Sequence, residues 1–206
     1  MSEFARAELA ELLGVDATVV PGGVDERFTP DADAAAARHA LGLARPYVLS
    51  VASQTARKNL AALVPAARAL AADGIEVVVA GGHRPQFAAE AGLDGLRLLG
   101  HVDDALLPGL YAGAEAFALP SLYEGFGLPV LEAMACGTPV VAAATGALPD
   151  TCGDAAMLVP PDGESFRAAL TDVLGDRDRL RAAGLARAAA FTWHRTARAI
   201  DALFGW

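Results

Sequence analysis

Lysine is almost missing from this sequence. Among its 206 residues are 16 basic ones; 15 of these are arginine, and Lys58 is the sole lysine. Positive charge is scarce overall: 25 acidic residues leave a formal net charge of -9. A surface of that sign argues against nucleic acid, and against anionic membrane, as partners. Cysteine occurs twice, at Cys136 and Cys152, with no Cys-x-x-Cys and no paired histidines. The opening Met1-Ser2-Glu3-Phe4 has no basic-then-apolar export signal, so two buried thiols are expected rather than a disulfide. No apolar run approaches the roughly 20 residues a transmembrane helix needs. These absences point to the cytoplasm.

What the sequence does contain is core material. It is 54% hydrophobic, with 21 glycines and 12 prolines, enough for one domain with appendages. Three regions are expected. Residues 1–45 read as a connecting segment: a helix over about 2–13 capped by Ser2, a short strand at Thr18-Val19-Val20, a Pro21-Gly22-Gly23 turn, then a loop and a polar helix. Residues 46–175 alternate short apolar runs with amphipathic stretches. Strands are expected at 47–51, 75–80, 96–99, 116–119, 139–142 and 156–159, with helices between them, one carrying Leu60, Leu63, Val64, Ala67 and Leu70 on one face. Residues 176–206 are helical. There Phe191, Trp193, Ala197, Ile200, Leu203 and Phe204 keep a helical spacing behind a Thr192 cap.

Strands alternating with helices imply β-α-β units and hence an α/β doubly wound parallel sheet, Rossmann-like, with helices on both faces. Ligands of such sheets bind beyond the carboxyl ends of the strands. That rule selects the loops at 53–58, 81–84, 100–102 and 120–127. Arg57 and Lys58 fall where a helix is expected to begin, and two cations there are unfavourable unless an anion neutralises them. The competing reading is a solvated basic pair. In Glu124-Gly125-Phe126-Gly127-Leu128-Pro129-Val130-Leu131-Glu132 the glycines allow a tight strand-to-helix turn, and Pro129 suits a first helical turn. Glu124 then lies in the loop and Glu132 in the helix's second turn, where both can border one pocket. Carboxylates suit sugar hydroxyls because they only accept hydrogen bonds; the competing reading makes Glu132 a helix-dipole acid.

Other signals have plainer explanations. Asp31-Ala32-Asp33 and Asp176-Arg177-Asp178 read as acids at helix starts. His83 and His101 lie on site-facing loops, where a lone histidine is more often surface. His39 and His194 have no partner that suggests a triad or a metal site. Trp193 reads as core packing.

The stretch from Ser121 through Glu132 to Ala133-Met134-Ala135-Cys136-Gly137-Thr138-Pro139-Val140-Val141 resembles the signature of the group 1 glycosyltransferases (family 4, GT-B fold). Val51-Ala52-Ser53 through Arg57-Lys58-Asn59 is similar to that family's phosphate loop, and Leu99-Gly100-His101-Val102 to its base-contacting segment. Phe191-Thr192-Trp193 resembles the start of its closing helix. Ser2-Glu3-Phe4 and Val19-Val20-Pro21-Gly22-Gly23-Val24-Asp25 resemble its interdomain connection.

The resemblance implies a retaining transferase whose donor substrate is a nucleotide-diphosphate sugar, with no metal and no further cofactor. Arg57 and Lys58 would hold the diphosphate, Glu132 the ribose hydroxyls, and Glu124 the donor sugar with the backbone of Gly125, Phe126 and Gly127. His101 and Val102 would meet the base, while Ser53, Gly82 and Leu128 complete the donor-pocket lining. Ala52 stands where glycine is common, and Gly22-Gly23 where Asn-Gly is usual. The partner domain expected to supply the acceptor pocket, an amino-terminal half, is not in this sequence, so the isolated chain is expected to be inactive in transfer. Alternatives are a free-standing nucleotide-binding or regulatory module and a GT-B sugar-nucleotide epimerase.

Overall fold

The computed structural model describes residues 2–82 and 90–205. In chain order the elements are α1 (Glu3–Leu13), α2 (Ala34–Ala40), β1 (Tyr47–Val51), α3 (Val64–Leu70), β2 (Glu76–Ala80), β3 (Leu96–Gly100), α4 (Leu107–Ala112), β4 (Ala116–Leu119), α5 (Leu128–Ala135), β5 (Val140–Ala143), α6 (Leu148–Cys152), β6 (Met157–Val159), α7 (Gly163–Val173), α8 (Arg177–Ala188) and α9 (Trp193–Phe204). The strands form one parallel sheet in the order β3-β2-β1-β4-β5-β6. This is the doubly wound arrangement expected. Its chain runs outward from β1 to β3, returns beside β1 as β4, and runs outward the other way. The crevice between the ends of β1 and β4 is therefore the place where neighbouring loops diverge to opposite faces.

The central strands are buried on both faces, which is why they read as continuous apolar runs rather than alternating ones. Val48, Leu49, Phe117, Leu119 and Val141 are fully buried. α3 packs on α7 over one face; α2, α4, α5 and α8 form the other layer. The buried Tyr47 hydroxyl donates to the Leu110 carbonyl at 2.7 Å, so the phenol loses no hydrogen bond by entering the core. Truncating Phe117 to alanine would cost about 3–5 kcal/mol by transfer and cavity terms.

Three local expectations are corrected. Residues 18–20 form no strand. Further along the connecting segment, an isolated parallel bridge joins Val24 to Thr192. That approach depends on Gly23, where a Cβ would stand 2.2 Å from the Trp193 nitrogen. The helix expected from Leu60 opens as a 3-10 turn, Leu60–Leu63, and becomes α-helical only at Val64. Pro65 lacks the N–H that would bond back to Ala61, so it starts the α-helix and cannot continue one. Trp193 is not core: 56% of its surface is exposed, and Ile200, Leu203 and Phe204 on the same helix are also exposed.

Both cysteines are buried free thiols, as expected. Burial pushes each thiol up to about 12, so neither is a reactive thiolate at neutral pH. Among the described residues, no helix is long and apolar enough to cross a membrane.

Candidate active site

β1 delivers the chain into a loop that closes on itself in two short turns. The first, Ala56–Lys58, is a 3-10 turn closed by the Lys58 N–H on the Thr55 carbonyl at 2.8 Å. Asn59 follows in the left-handed region at φ 53°, the only non-glycine with positive φ among the described residues. Asparagine tolerates that conformation better than most side chains. Arg57 and Lys58 thus precede the long helix in a separate turn and do not sit at its start. The expected conflict with a helix dipole does not arise.

The conflict is resolved instead by an acid from the far side of the crevice. Lys58 Nζ lies 2.5 Å from Glu124 Oε1, and Arg57 reaches Glu124 Oε2 at 3.8 Å. The Lys58 and Glu124 side chains are only 12% and 10% exposed, so water screens this pair less than a surface one. Backbone bonds zip the same two loops together. The Leu122 N–H donates to the Arg57 carbonyl at 2.9 Å, and the Arg57 guanidinium to the Tyr123 carbonyl at 2.7 Å. Asn59 spends both amide hydrogens on this register, donating to the carbonyls of Pro120 at 3.1 Å and Pro161 at 2.9 Å. One side chain thereby ties together the loops after β1, β4 and β6.

The Glu124 loop is supported from behind by the loop after β5. Ala147 N–H donates to the Glu124 carbonyl at 2.9 Å, and the Thr145 hydroxyl to the Ser121 carbonyl at 2.7 Å. A Cβ on Gly146 would stand 2.7 Å from the Glu124 oxygen, at φ 55°. From the other side α1 is fastened to the loop. Ser2 Oγ donates to the Gly125 carbonyl at 2.6 Å, Phe4 meets the Tyr123 ring edge-on at 5.6 Å, and the Tyr123 hydroxyl donates to Glu8. Gly127 caps α5 at φ 92° without a side-chain cap. Leu128 and Pro129 follow as its first turn, as expected.

Glu132, one turn into α5, has different company. Its Oε2 accepts from the Tyr111 hydroxyl at 2.8 Å. Burial pushes its carboxyl above the ordinary range; the Tyr111 bond and Arg27 oppose this, while Asp104 and Asp25 add to it. His101 is exposed just beyond β3, and Val102 is buried. Gly82 sits beside the His101 backbone, its position for a Cβ 3.9 Å from that nitrogen. The Gln54 N–H, next to Ser53, reaches the Gly82 carbonyl at 3.4 Å.

The expected residues therefore fall on one rim. Arg57, Lys58 and Glu124 are in direct contact; Ser53, Gly82 and His101 line adjoining loops; Glu132 stands on separate partners. His83 lies outside the described residues. Asp33 caps α2 through its side chain, and Asp176 stands at the start of α8 with its carboxylate on Arg179, in line with their reading as helix-start acids. A cleft of about 580 Å³ opens elsewhere, at the amino ends of the strands, lined by Gly137, Asp176, Arg177, Arg179 and Arg181. Its arginines bind Glu115, Asp176 and the Gly137 carbonyl. Sequence reasoning did not assign Asn59, Tyr111 or Gly146 a role. Only the polar Asn59 after two cations, and the Thr-Gly pair at 145–146, carried a turn signal.

A parallel doubly wound sheet with a paired cation–carboxylate cluster at its strand-order reversal belongs to the α/β class that binds ligands in that crevice. The family follows directly: residues 45–176 match the model of the glycosyl transferases group 1, and the chain belongs to that family. It is 38% identical to a D-inositol 3-phosphate glycosyltransferase of Geodermatophilus obscurus, over 90% of this chain and 46% of that protein. The chain spans about half the length of the curated relatives it matches at this level. Among solved structures, sucrose-phosphate synthase from Thermosynechococcus elongatus is similar with a TM-score of 0.82 and 31% identity, over 99% of this chain and 56% of that one. The C-terminal domain of a group 1 glycosyl transferase from Francisella tularensis shares the fold, with a TM-score of 0.68 and 24% identity, covering 82% of this chain and 97% of that domain.

Proposed function

We propose that this chain is the donor-binding half of a retaining, GT-B, family 4 glycosyltransferase working in the cytoplasm. Residues 46–175 form the nucleotide-sugar domain, flanked by the connecting segment 1–45 and the closing helices 176–206. The observation that carries the reading is the Lys58–Glu124–Arg57 cluster at the end of β1 and β4. Two cations and one carboxylate leave a net positive charge, which suits a diphosphate, while the carboxylate suits a sugar hydroxyl.

In the reaction the bond between the anomeric carbon and the diphosphate oxygen breaks. The electron pair leaves with the diphosphate, and an acceptor hydroxyl bonds to the carbon and gives up its proton to the departing diphosphate oxygen. Arg57 and Lys58 stabilise the charge gathering on the leaving diphosphate, which accelerates transfer as far as their contacts strengthen in the transition state. Glu124 and the backbone of Gly125, Phe126 and Gly127 hold the sugar. Glu132 binds ribose, and His101 and Val102 meet the base. Ser53, Gly82 and Leu128 complete the pocket.

A second half supplies the acceptor pocket in this reading. Two observations support it: the match to a separately solved C-terminal domain, and the exposed apolar residues on α1 and α9. Leu12 and Leu13 sit on α1, which Ser2 fastens to the Glu124 loop, and Trp193, Ile200, Leu203 and Phe204 sit on α9, whose start is bridged to the connecting segment. Apolar surface of that kind marks contact faces.

Calorimetric titration of the chain with UDP, GDP and ADP tests the donor site. One diphosphate preferred over the others, and weakened in both Lys58→Ala and Glu132→Ala, is the expected result. Equal loss of nucleoside and nucleoside diphosphate binding in Lys58→Ala would sink the phosphate role.

A further inference from the structure

We propose that Tyr111 is the positioning residue that makes Glu132 a selective acceptor for ribose hydroxyls, so that this chain distinguishes ribonucleoside from 2′-deoxyribonucleoside diphosphates through the Tyr111–Glu132 pair. The proposal rests on the donor-site reading above. It starts from the asymmetry of the Glu132 carboxylate. Oε2 is held by the Tyr111 hydroxyl at 2.8 Å, and no other hydrogen bond reaches this side chain among the described residues. Each carboxylate oxygen accepts through two lone pairs. Oε1 and the second lone pair of Oε2 are therefore left for two donors side by side, which is what a cis-diol offers and a 2′-deoxy sugar does not.

Tyr111 is built to hold that orientation. It is fully buried, with Phe28 edge-on at 5.7 Å and Phe117 tilted at 5.4 Å. Its backbone carbonyl accepts from the Thr138 hydroxyl at 2.7 Å, which fixes the end of α4 against the start of β5. A ring so confined cannot follow a rotating carboxylate, so the hydrogen bond survives in one carboxylate orientation only.

The same bond keeps the acceptor charged. Glu132 faces the Tyr111 hydroxyl from α4, Asp25 and Arg27 from the connecting segment, Asp104 from the loop after β3, and the Cys136 thiol from its own helix. Burial and the two aspartates favour the protonated carboxyl; the phenol and Arg27 favour the carboxylate. Removing the phenol's hydrogen bond moves the balance toward the protonated form, which is a poorer acceptor for two hydroxyls.

Tyr111→Phe keeps the ring and removes only the donor. The test titrates wild type and this variant with UDP and 2′-deoxy-UDP, and with the guanosine and adenosine pairs, over a pH series that runs from the ordinary carboxylate range up through neutrality. The wild type is expected to favour the ribo form. In Tyr111→Phe the ribo form weakens by about tenfold, as for loss of a hydrogen bond to a charged group, and the 2′-deoxy form changes little. The pH below which ribo binding fades moves upward. In Glu132→Gln that pH dependence disappears.

A variant that keeps both the ribo preference and the pH midpoint overturns the proposal. A wild type that binds both sugars alike, or neither at about millimolar concentration, overturns it together with the ribose role of Glu132. Lys58→Ala measured in the same series reports on the diphosphate contact independently, so the two readings fail separately.

Discussion

Glu124 and Glu132 belong to one motif and stand eight residues apart, yet the fold gives them opposite electrical surroundings. Glu124 lies among cations, bonded to Lys58 and near Arg57, with its own backbone clamped by the loop after β5. Glu132 lies among a phenol, one arginine and two aspartates, and burial raises its carboxyl. Spacing puts both acids on one rim. Their neighbours, drawn from the loop after β1 in one case and from α4 in the other, set the roles proposed for them: Glu124 beside the cations that would meet a diphosphate, and Glu132 as an acceptor for neutral hydroxyls.

Removing Lys58 breaks the comparison most severely. Lys58→Ala leaves Glu124 with the more distant arginine and removes the point charge proposed for the diphosphate. We expect nucleoside diphosphate affinity to fall by about 10- to 100-fold, with free nucleoside nearly unchanged, because a charge-assisted contact is lost. Transfer by the proposed two-domain protein should fall by about 10²- to 10³-fold if the contact tightens at the transition state. Paired titrations with UDP and uridine, and the corresponding guanosine and adenosine pairs, read the first number.

Next in size is the support behind Glu124. Gly146→Ala would add a Cβ 2.7 Å from the Glu124 carbonyl oxygen at a left-handed φ. Strain and displacement should cost about 1–3 kcal/mol of stability, and the shifted loop should weaken diphosphate binding while leaving the Tyr111–Glu132 pair intact. Thermal unfolding and the same titration read both. Normal binding in a destabilised variant would show that the clamp serves the fold alone.

The Asn59 tie divides into two parts. Asn59→Gly keeps the left-handed backbone and loses two hydrogen bonds, a cost of about 1–2 kcal/mol. Asn59→Ala adds backbone strain of about 1 kcal/mol on top. If the tie sets the distance between Lys58 and Glu124, both variants weaken diphosphate binding in proportion, read by unfolding and titration together. Equal stability of the two variants would remove the backbone contribution.

These positions also mark how far the sequence could be read. The six strands and the doubly wound order were legible because buried parallel strands are continuous apolar runs, and Val77-Val78-Val79 or Ala116-Phe117-Ala118-Leu119 can hardly be anything else. The motif residues were legible because glycines at 125 and 127 mark a turn between a strand and a helix. What could not be read depends on contacts distant in sequence. Lys58 and Glu124 are 66 positions apart, and Lys58 alone looks like a cation in need of an anion from outside. Asn59 bonds to Pro161, 102 positions away. Periodicity placed Trp193 on an apolar face but cannot say what covers that face, and here nothing in the described residues does. Val19 and Val20 carry strand propensity, yet residues 18–20 form no strand.

The smallest expected effect is the one that separates the two glutamates most sharply. Lys58 donates to Glu124 at 2.5 Å, so a diphosphate that binds Lys58 competes with this carboxylate for its charge. Glu124→Gln keeps an acceptor oxygen of the same reach and removes its charge, which leaves Lys58 and Arg57 less compensated. Nucleoside diphosphates should then bind about two- to fivefold tighter, an effect below about 1 kcal/mol and shrinking as salt is raised. Transfer should fall, because a neutral amide accepts more weakly from the sugar hydroxyl than a carboxylate does. Glu132→Gln, by contrast, should weaken binding at neutral pH, since among the described residues no cation is hydrogen-bonded to that acid as Lys58 is to Glu124. Diphosphate affinity that drops in Glu124→Gln would mean that Glu124 aims Lys58 at the phosphate rather than competing for it, and the two acids would then differ in partner but not in direction of effect.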